Sequence, residues 1–137
     1  MEISTSDKSN YFRGLLLLIR KDNKITVPEI ELMRRVGTSM GFDKEFVEEC
    51  IHNILDDVFT AVAPPKFSNS ELAKKFIRDG LVLAVSDCEI HETEEEWLDK
   101  VVDQNDIDEA WYFQEKQNIV YNRDANIRLE AEKLTEP

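Results

Sequence analysis

Apolar residues fall along this chain in blocks at helical spacing, with turn residues between the blocks. The first block holds Tyr11 and Phe12 and then Leu15-Leu16-Leu17-Leu18-Ile19, a run with no polar face, as expected of a helix buried on all sides. Ser9 or Asn10 is placed to cap it, and Asp22-Asn23 to end it near Lys21. Thr26-x-x-Glu29 has the form of a capping box, with Pro28 tolerated in the first turn. It opens a second helix that turns Leu32, Met33, Val36 and Met40 inward and stops at Gly41. Asp43 caps a third helix whose apolar positions come in adjacent pairs every four residues: Phe46 and Val47, Cys50 and Ile51, Ile54 and Leu55, Val58 and Phe59. Pro64-Pro65 ends that stretch. Ser68-x-x-Glu71 or Ser70 begins a fourth helix through Leu72, Phe76, Leu81, Leu83 and Val85, ending at Asp87. A short fifth helix carries Trp97, Leu98, Val101 and Val102, and Asp106 or Asp108 caps a C-terminal helix beginning near Trp111. Residues 122–137 are polar enough that they are expected to fray or to lie on the surface.

Strand-like alternation is scarce, and only four Gly and four Pro interrupt the chain. The pattern therefore predicts an all-α fold, a compact bundle of about six to seven helices. At 137 residues, 42% of them hydrophobic, one core accounts for the whole length. The expected division is a single domain over residues 1–137, with its core at about 10–115 and a polar helix or tail at about 116–137.

A formal net charge of −12 makes nucleic acid and anionic membrane surfaces poor partners, and a cation or a basic protein surface a suitable one. Cys50 and Cys88 are too few for a disulfide framework, and no signal peptide precedes the polar start, so the expected location is cytoplasmic. The longest apolar run falls far short of the roughly 20 residues needed to cross a bilayer, so membrane insertion is not expected.

Setting Leu15–Ile25 above Gly80–Ile90 reveals an internal repeat. Asp22 aligns with Asp87, an offset of 65 residues. The same offset pairs Ile25 with Ile90, Glu29 with Glu94, Leu32 with Trp97, Met33 with Leu98, Val36 with Val101 and Phe42 with Ile107. Both halves read as an apolar helix, an Asp-x-x-Ile-x-x-x-Glu turn and an amphipathic helix. Two such helical hairpins, packed about a pseudo-twofold axis, would bury the Leu15–Ile19 and Leu81–Val85 segments centrally.

On these residues the chain resembles the TerB-like domains, named for a tellurite-resistance protein, over roughly Leu15 to Asp108. Those are compact helical units whose halves each carry an apolar helix, an Asp-Gly-x-Ile turn and a downstream Glu. The resemblance implies a role in bacterial stress response and an acidic site for a metal ion, which here would draw on Asp22, Glu29, Asp87 and Glu94. Two positions depart from the family pattern: the turn glycine is Asn23 in one half and Cys88 in the other, and Lys21 and Lys24 flank Asp22.

The chemistry of the residues themselves leaves two readings open. Glu89, Glu92, Glu94, Glu95, Glu96 and Asp99 surround the second turn. This cluster suits a hard divalent cation, Ca²⁺ or Mg²⁺ rather than Zn²⁺, and it equally suits a solvated first turn favoured by the helix dipole. A pre-formed EF-hand is ruled out by Leu18, Arg20, Leu83 and Val85 at the leading ligand positions. Cys88-x-x-His91 with Cys50-x-His52 makes a poor zinc set, because residues two apart on a helix face nearly opposite ways. No Gly-rich phosphate loop, Gly-x-Ser-x-Gly elbow or His-Glu-x-x-His pair occurs, so no enzyme is expected. Trp97, Trp111, Tyr112 and Phe113 are open to roles in the core or at a docking surface. The functional expectation is an adaptor or sensor with protein partners, acting either with a divalent cation in the acidic site or as a metal-independent interaction scaffold.

Overall fold

The computed structural model describes residues 3–20, 26–55, 64–86, 89–90, 92–121 and 129–132. Among them six α-helices make an all-α bundle: α1 Thr5–Arg20, α2 Val27–Ser39, α3 Lys44–Leu55, α4 Ser70–Ala84, α5 Glu92–Gln104 and α6 Glu109–Tyr121. A 3₁₀ turn, Glu130–Glu132, follows α6. Two two-residue strands, β1 Val85–Ser86 and β2 Glu89–Ile90, pair antiparallel with Val85 opposite Ile90. The backbone thus leaves the helix before Val85, which the periodicity placed on α4. No helix among the described residues is long and apolar enough to cross a membrane.

The 65-residue offset extends to a whole three-helix unit. Shifted by it, the first residues of α1, α2 and α3 fall on the first residues of α4, α5 and α6. Cap chemistry repeats in the same register. Ser4 Oγ accepts from Asp7 N–H at 3.1 Å and Asn69 Oδ1 accepts from Leu72 N–H at 2.8 Å, so each satisfies an amide that its first turn leaves unpaired. These caps replace the expected ones. Helix α1 starts before Ser9 and Asn10, because Ser4 reaches the third helical amide, and α4 is capped by the residue between Ser68 and Ser70.

Helix α2 ends with Phe42 N–H on Gly37 O and Gly41 N–H on Thr38 O. Helix α5 ends with Ile107 N–H on Val102 O and Asp106 N–H on Asp103 O, the same paired closure 65 residues on. This closure needs a left-handed residue, supplied by Gly41 at φ 84° and by Asp106 at φ 54°. The capping box at Thr26 and Glu29 forms as expected.

Helices α1 and α4 lie against each other at the centre, and α2, α3, α5 and α6 pack around them. Leu15 and Leu18 of α1 and Phe76, Ile77 and Leu81 of α4 are fully buried. Where the central helices touch, Phe76 lies against Gly14, and Tyr11 reaches Asp79. Shifting each contact by the repeat offset turns one into the other, as a twofold relation between the units requires. Asn105 ties the incoming segment to α5: its Oδ1 accepts from Phe67 N–H at 2.8 Å, and its Nδ2 donates to Pro65 O at 2.9 Å.

Residues 129–132, the part of the polar C-terminal stretch that is described, depart from the expectation of a frayed or surface tail. Leu129 and Ala131 are buried in the core, and the 3₁₀ turn packs against α4 and α2.

Candidate functional site

Of the four acids drawn from the family resemblance, Asp22 and Asp87 lie outside the described residues, as do Cys88 and His91. Glu29 serves its own helix: Oε1 accepts from Thr26 N–H at 2.9 Å and from Thr26 Oγ1 at 3.0 Å. Glu94 holds the equivalent place in the first turn of α5 and is 6% exposed. No three His, Cys, Asp or Glu side chains among the described residues converge as a metal-holding group. Cys50 is buried in the core, where burial pushes its thiol up, and His52 faces the surface.

The two units differ most where their peripheral helices meet. In the first, α2 packs closely on α3 because Gly37 has no side chain; a Cβ there would lie 2.5 Å from Val47 Cγ2. The residues at the same positions of the second unit are Val102 and Tyr112. Their bulk fills the place of close approach, and α5 and α6 stand apart over a cavity of about 470 Å³. Val102 and Tyr112 line this groove, with Asp99 and Asp103 from α5 and Glu109, Phe113 and Lys116 from α6.

The groove joins apolar surface to negative charge. Phe113 is 61% exposed beside it, whereas Trp97 belongs to the core and Trp111 is half-buried under Lys74 Nζ, 5.2 Å from its ring centre. Lys116 Nζ stands 4.7 Å above the Tyr112 ring and 3.4 Å from Glu95 Oε2. Among the described residues no salt bridge neutralises Asp99, Asp103 or Glu109 of the lining. Tyr112 is 6% exposed, and its buried hydroxyl has no hydrogen-bond partner among the described residues. Burial pushes this phenol well above its ordinary value, and the nearby Asp99 and Glu95 carboxylates add to the effect. An unpaired buried hydroxyl costs about 1–3 kcal/mol, which a ligand group supplying the missing bond would recover.

A second polar feature lies at the centre of the bundle. Asp79 on α4 is 1% exposed and accepts three hydrogen bonds: from Tyr11 Oη to Oδ2 at 2.6 Å, from Glu130 N–H to Oδ1 at 2.6 Å and from Ala131 N–H to Oδ2 at 2.8 Å. Burial pushes its carboxyl up to about 7, although the three donors pull the other way. Asp7, also buried, holds Ser68 through the backbone N–H at 3.1 Å and through the hydroxyl.

The periodicity passed over Asp79, whose partners lie 51 and 52 residues downstream in a polar stretch. The groove had a signal in the sequence, the change from Gly37 and Val47 to Val102 and Tyr112 at the repeat offset. Comparison with known proteins gave no match to any family, any curated protein or any solved structure.

Proposed function

We propose that this chain is a non-enzymatic adaptor that receives a basic segment of a partner protein in the groove between α5 and α6. One comparison within the chain carries the reading: the helix pair that is shut in the first unit is open in the second, over a buried tyrosine hydroxyl with no hydrogen-bond partner among the described residues. Charge complementarity names the occupant. An arginine or lysine head would meet Asp99, Asp103 and Glu109, while its methylene stem lies along Phe113 and a polar group of the segment pairs with Tyr112. The formal charge of −12 would speed the encounter. A cytoplasmic, stress-linked setting like that of the TerB-like domains belongs to the same proposal.

The test is titration of a fluorescent Lys/Arg-rich peptide and its Glu-substituted counterpart into the full chain. Only the basic peptide should bind, and replacing both Asp99 and Asp103 by Asn should weaken it about tenfold or more, or about 1.4 kcal/mol. Replacing Glu45 and Glu49, exposed acids of α3, by Gln removes the same charge from the other unit and should leave affinity nearly unchanged. Equal weakening by both pairs would reduce the interaction to net charge and dismiss the groove.

A second reading makes the adaptor a sensor, with a divalent cation held by Asp22, Glu29, Asp87 and Glu94. The constant offset favours it, because Glu29 and Glu94 hold the same position in the first turns of α2 and α5. Calorimetry with Ca²⁺, Mg²⁺, Mn²⁺ and Zn²⁺, repeated on Asp87→Asn and Glu94→Gln, tests it. Absence of both heat and thermal shift with every ion removes this reading and leaves the groove untouched.

A further inference from the structure

We propose that residues 129–132 are a latch, seated on the bundle through Asp79 and loosened as the medium passes from acid to neutral. The inference is independent of the groove. It begins with the broken symmetry of the central contact. Asp79 occupies the position that Gly14 holds in the first unit, where the facing ring of Phe76 packs against bare backbone. In the second unit the facing ring is Tyr11, and a carboxylate replaces the bare backbone. That carboxylate binds two consecutive amides of the C-terminal turn, while Leu129 and Ala131 fill apolar seats beside it.

The charged groups around the seat come from every neighbouring element. Tyr11 of α1 donates directly to Asp79, and the Glu130 carboxylate repels its negative charge. On α4, Lys75 stands 3.9 Å and Arg78 3.5 Å from Glu130, and Arg78 also meets Glu115 of α6 at 3.4 Å. From α2, Arg35 reaches Glu132 at 3.4 Å. These pairs frame the turn at the rim, and Asp79, with the Tyr11 hydroxyl on it, lies beneath.

Seating the turn takes Asp79 out of water. Its carboxyl, ordinarily near 3.8, then titrates at about 7, chiefly because burial disfavours the charge. The seated state therefore holds a proton that the open state releases. Seating is strongest in acid and weakens as pH rises from about 4 to about 7, above which both states are ionised and the dependence ends.

Hydrogen exchange of the full chain, read residue by residue by NMR, measures the opening. Between about pH 5.5 and 8, protection of the Glu130 and Ala131 amides beyond their intrinsic rates should fall roughly 30-fold, as the shift of Asp79 requires. Leu81, deep in α4, should keep its protection. In Asp79→Asn the pH dependence of the two amides should vanish. Constant protection of these amides, a fall shared equally by Leu81, or a fall that survives Asp79→Asn would each overturn the proposal. Should Asp79→Asn fail to fold, Tyr11→Phe decides. Losing a donor that favours the charged acid should move the midpoint to higher pH, and an unmoved midpoint counts against the latch.

Discussion

Replacing Gly14 by Ala probes the contact on which the two units meet. A Cβ at this position would stand 2.7 Å from Cζ and 2.8 Å from Cε2 of Phe76, and 3.2 Å from Cγ of Pro65. The Phe76 ring has little room to retreat. It is fully buried and boxed in by Tyr11, Phe67 and Trp97, with ring centres 5.2, 5.3 and 6.0 Å away. Forcing a methyl group into such a site costs about 1–3 kcal/mol. The better helix propensity of Ala returns up to about 1 kcal/mol. The net expectation is a loss of about 1–2 kcal/mol, which for a chain of this size lowers Tm by roughly 3–8 °C. Urea unfolding followed by circular dichroism gives the number directly. A double-mutant cycle with Phe76→Leu then asks whether the ring is the cause. In that background Gly14→Ala should cost at least about 1 kcal/mol less, since the smaller side chain can yield. Undiminished stability of Gly14→Ala, or a full cost persisting after Phe76 is trimmed, refutes the reasoning.

The matched helix endings make a paired prediction. Gly41→Ala should destabilise by about 1 kcal/mol, because the site has open space and only the left-handed backbone resists a side chain. Asp106→Gly, 65 residues on, should stabilise by a few tenths to about 1 kcal/mol as it relieves the same backbone; denaturant midpoints with signs reversed from these would refute the equivalence. Tyr112→Phe should leave stability unchanged or raise it by up to about 1 kcal/mol, since it deletes a buried hydroxyl that has no partner among the described residues. The same variant should bind the basic peptide about fivefold less tightly, the worth of one hydrogen bond, and undiminished affinity would detach that hydroxyl from binding.

The helices were legible because their signals are local. Thr26 and Glu29 cap within one turn, Gly41 ends α2 where only a left-handed residue fits, and the paired apolar positions of α3 face inward as far as Ile51. Duplication was legible at Met33 and Leu98 or Val36 and Val101, whose burial matches across the repeat. What stayed hidden depends on residues remote in sequence or on differences of size. Ser4 was passed over because the apolar pattern starts at Tyr11, nearly two turns past the true start of α1 at Thr5. The polar C-terminal stretch gave no sign of docking, because its anchor is made of backbone amides, which no side-chain pattern reports. The groove follows from two enlarged residues, and volume matters only once the helices are known to face each other. Of the four acids carried over from the family resemblance, two fall in segments outside the described residues, and Glu29 is engaged by its own helix.

A duplicated chain with one closed and one open helix pair contains its own reference measurement. Both pairs share a solvent, a temperature and a single polypeptide, so any difference between them in accessibility or labelling belongs to the side chains by which they differ. Grafting the small residues of the earlier copy onto the later one, Val102→Gly with Tyr112→Val, offers a silenced version of the molecule whose design is already written in its own first half.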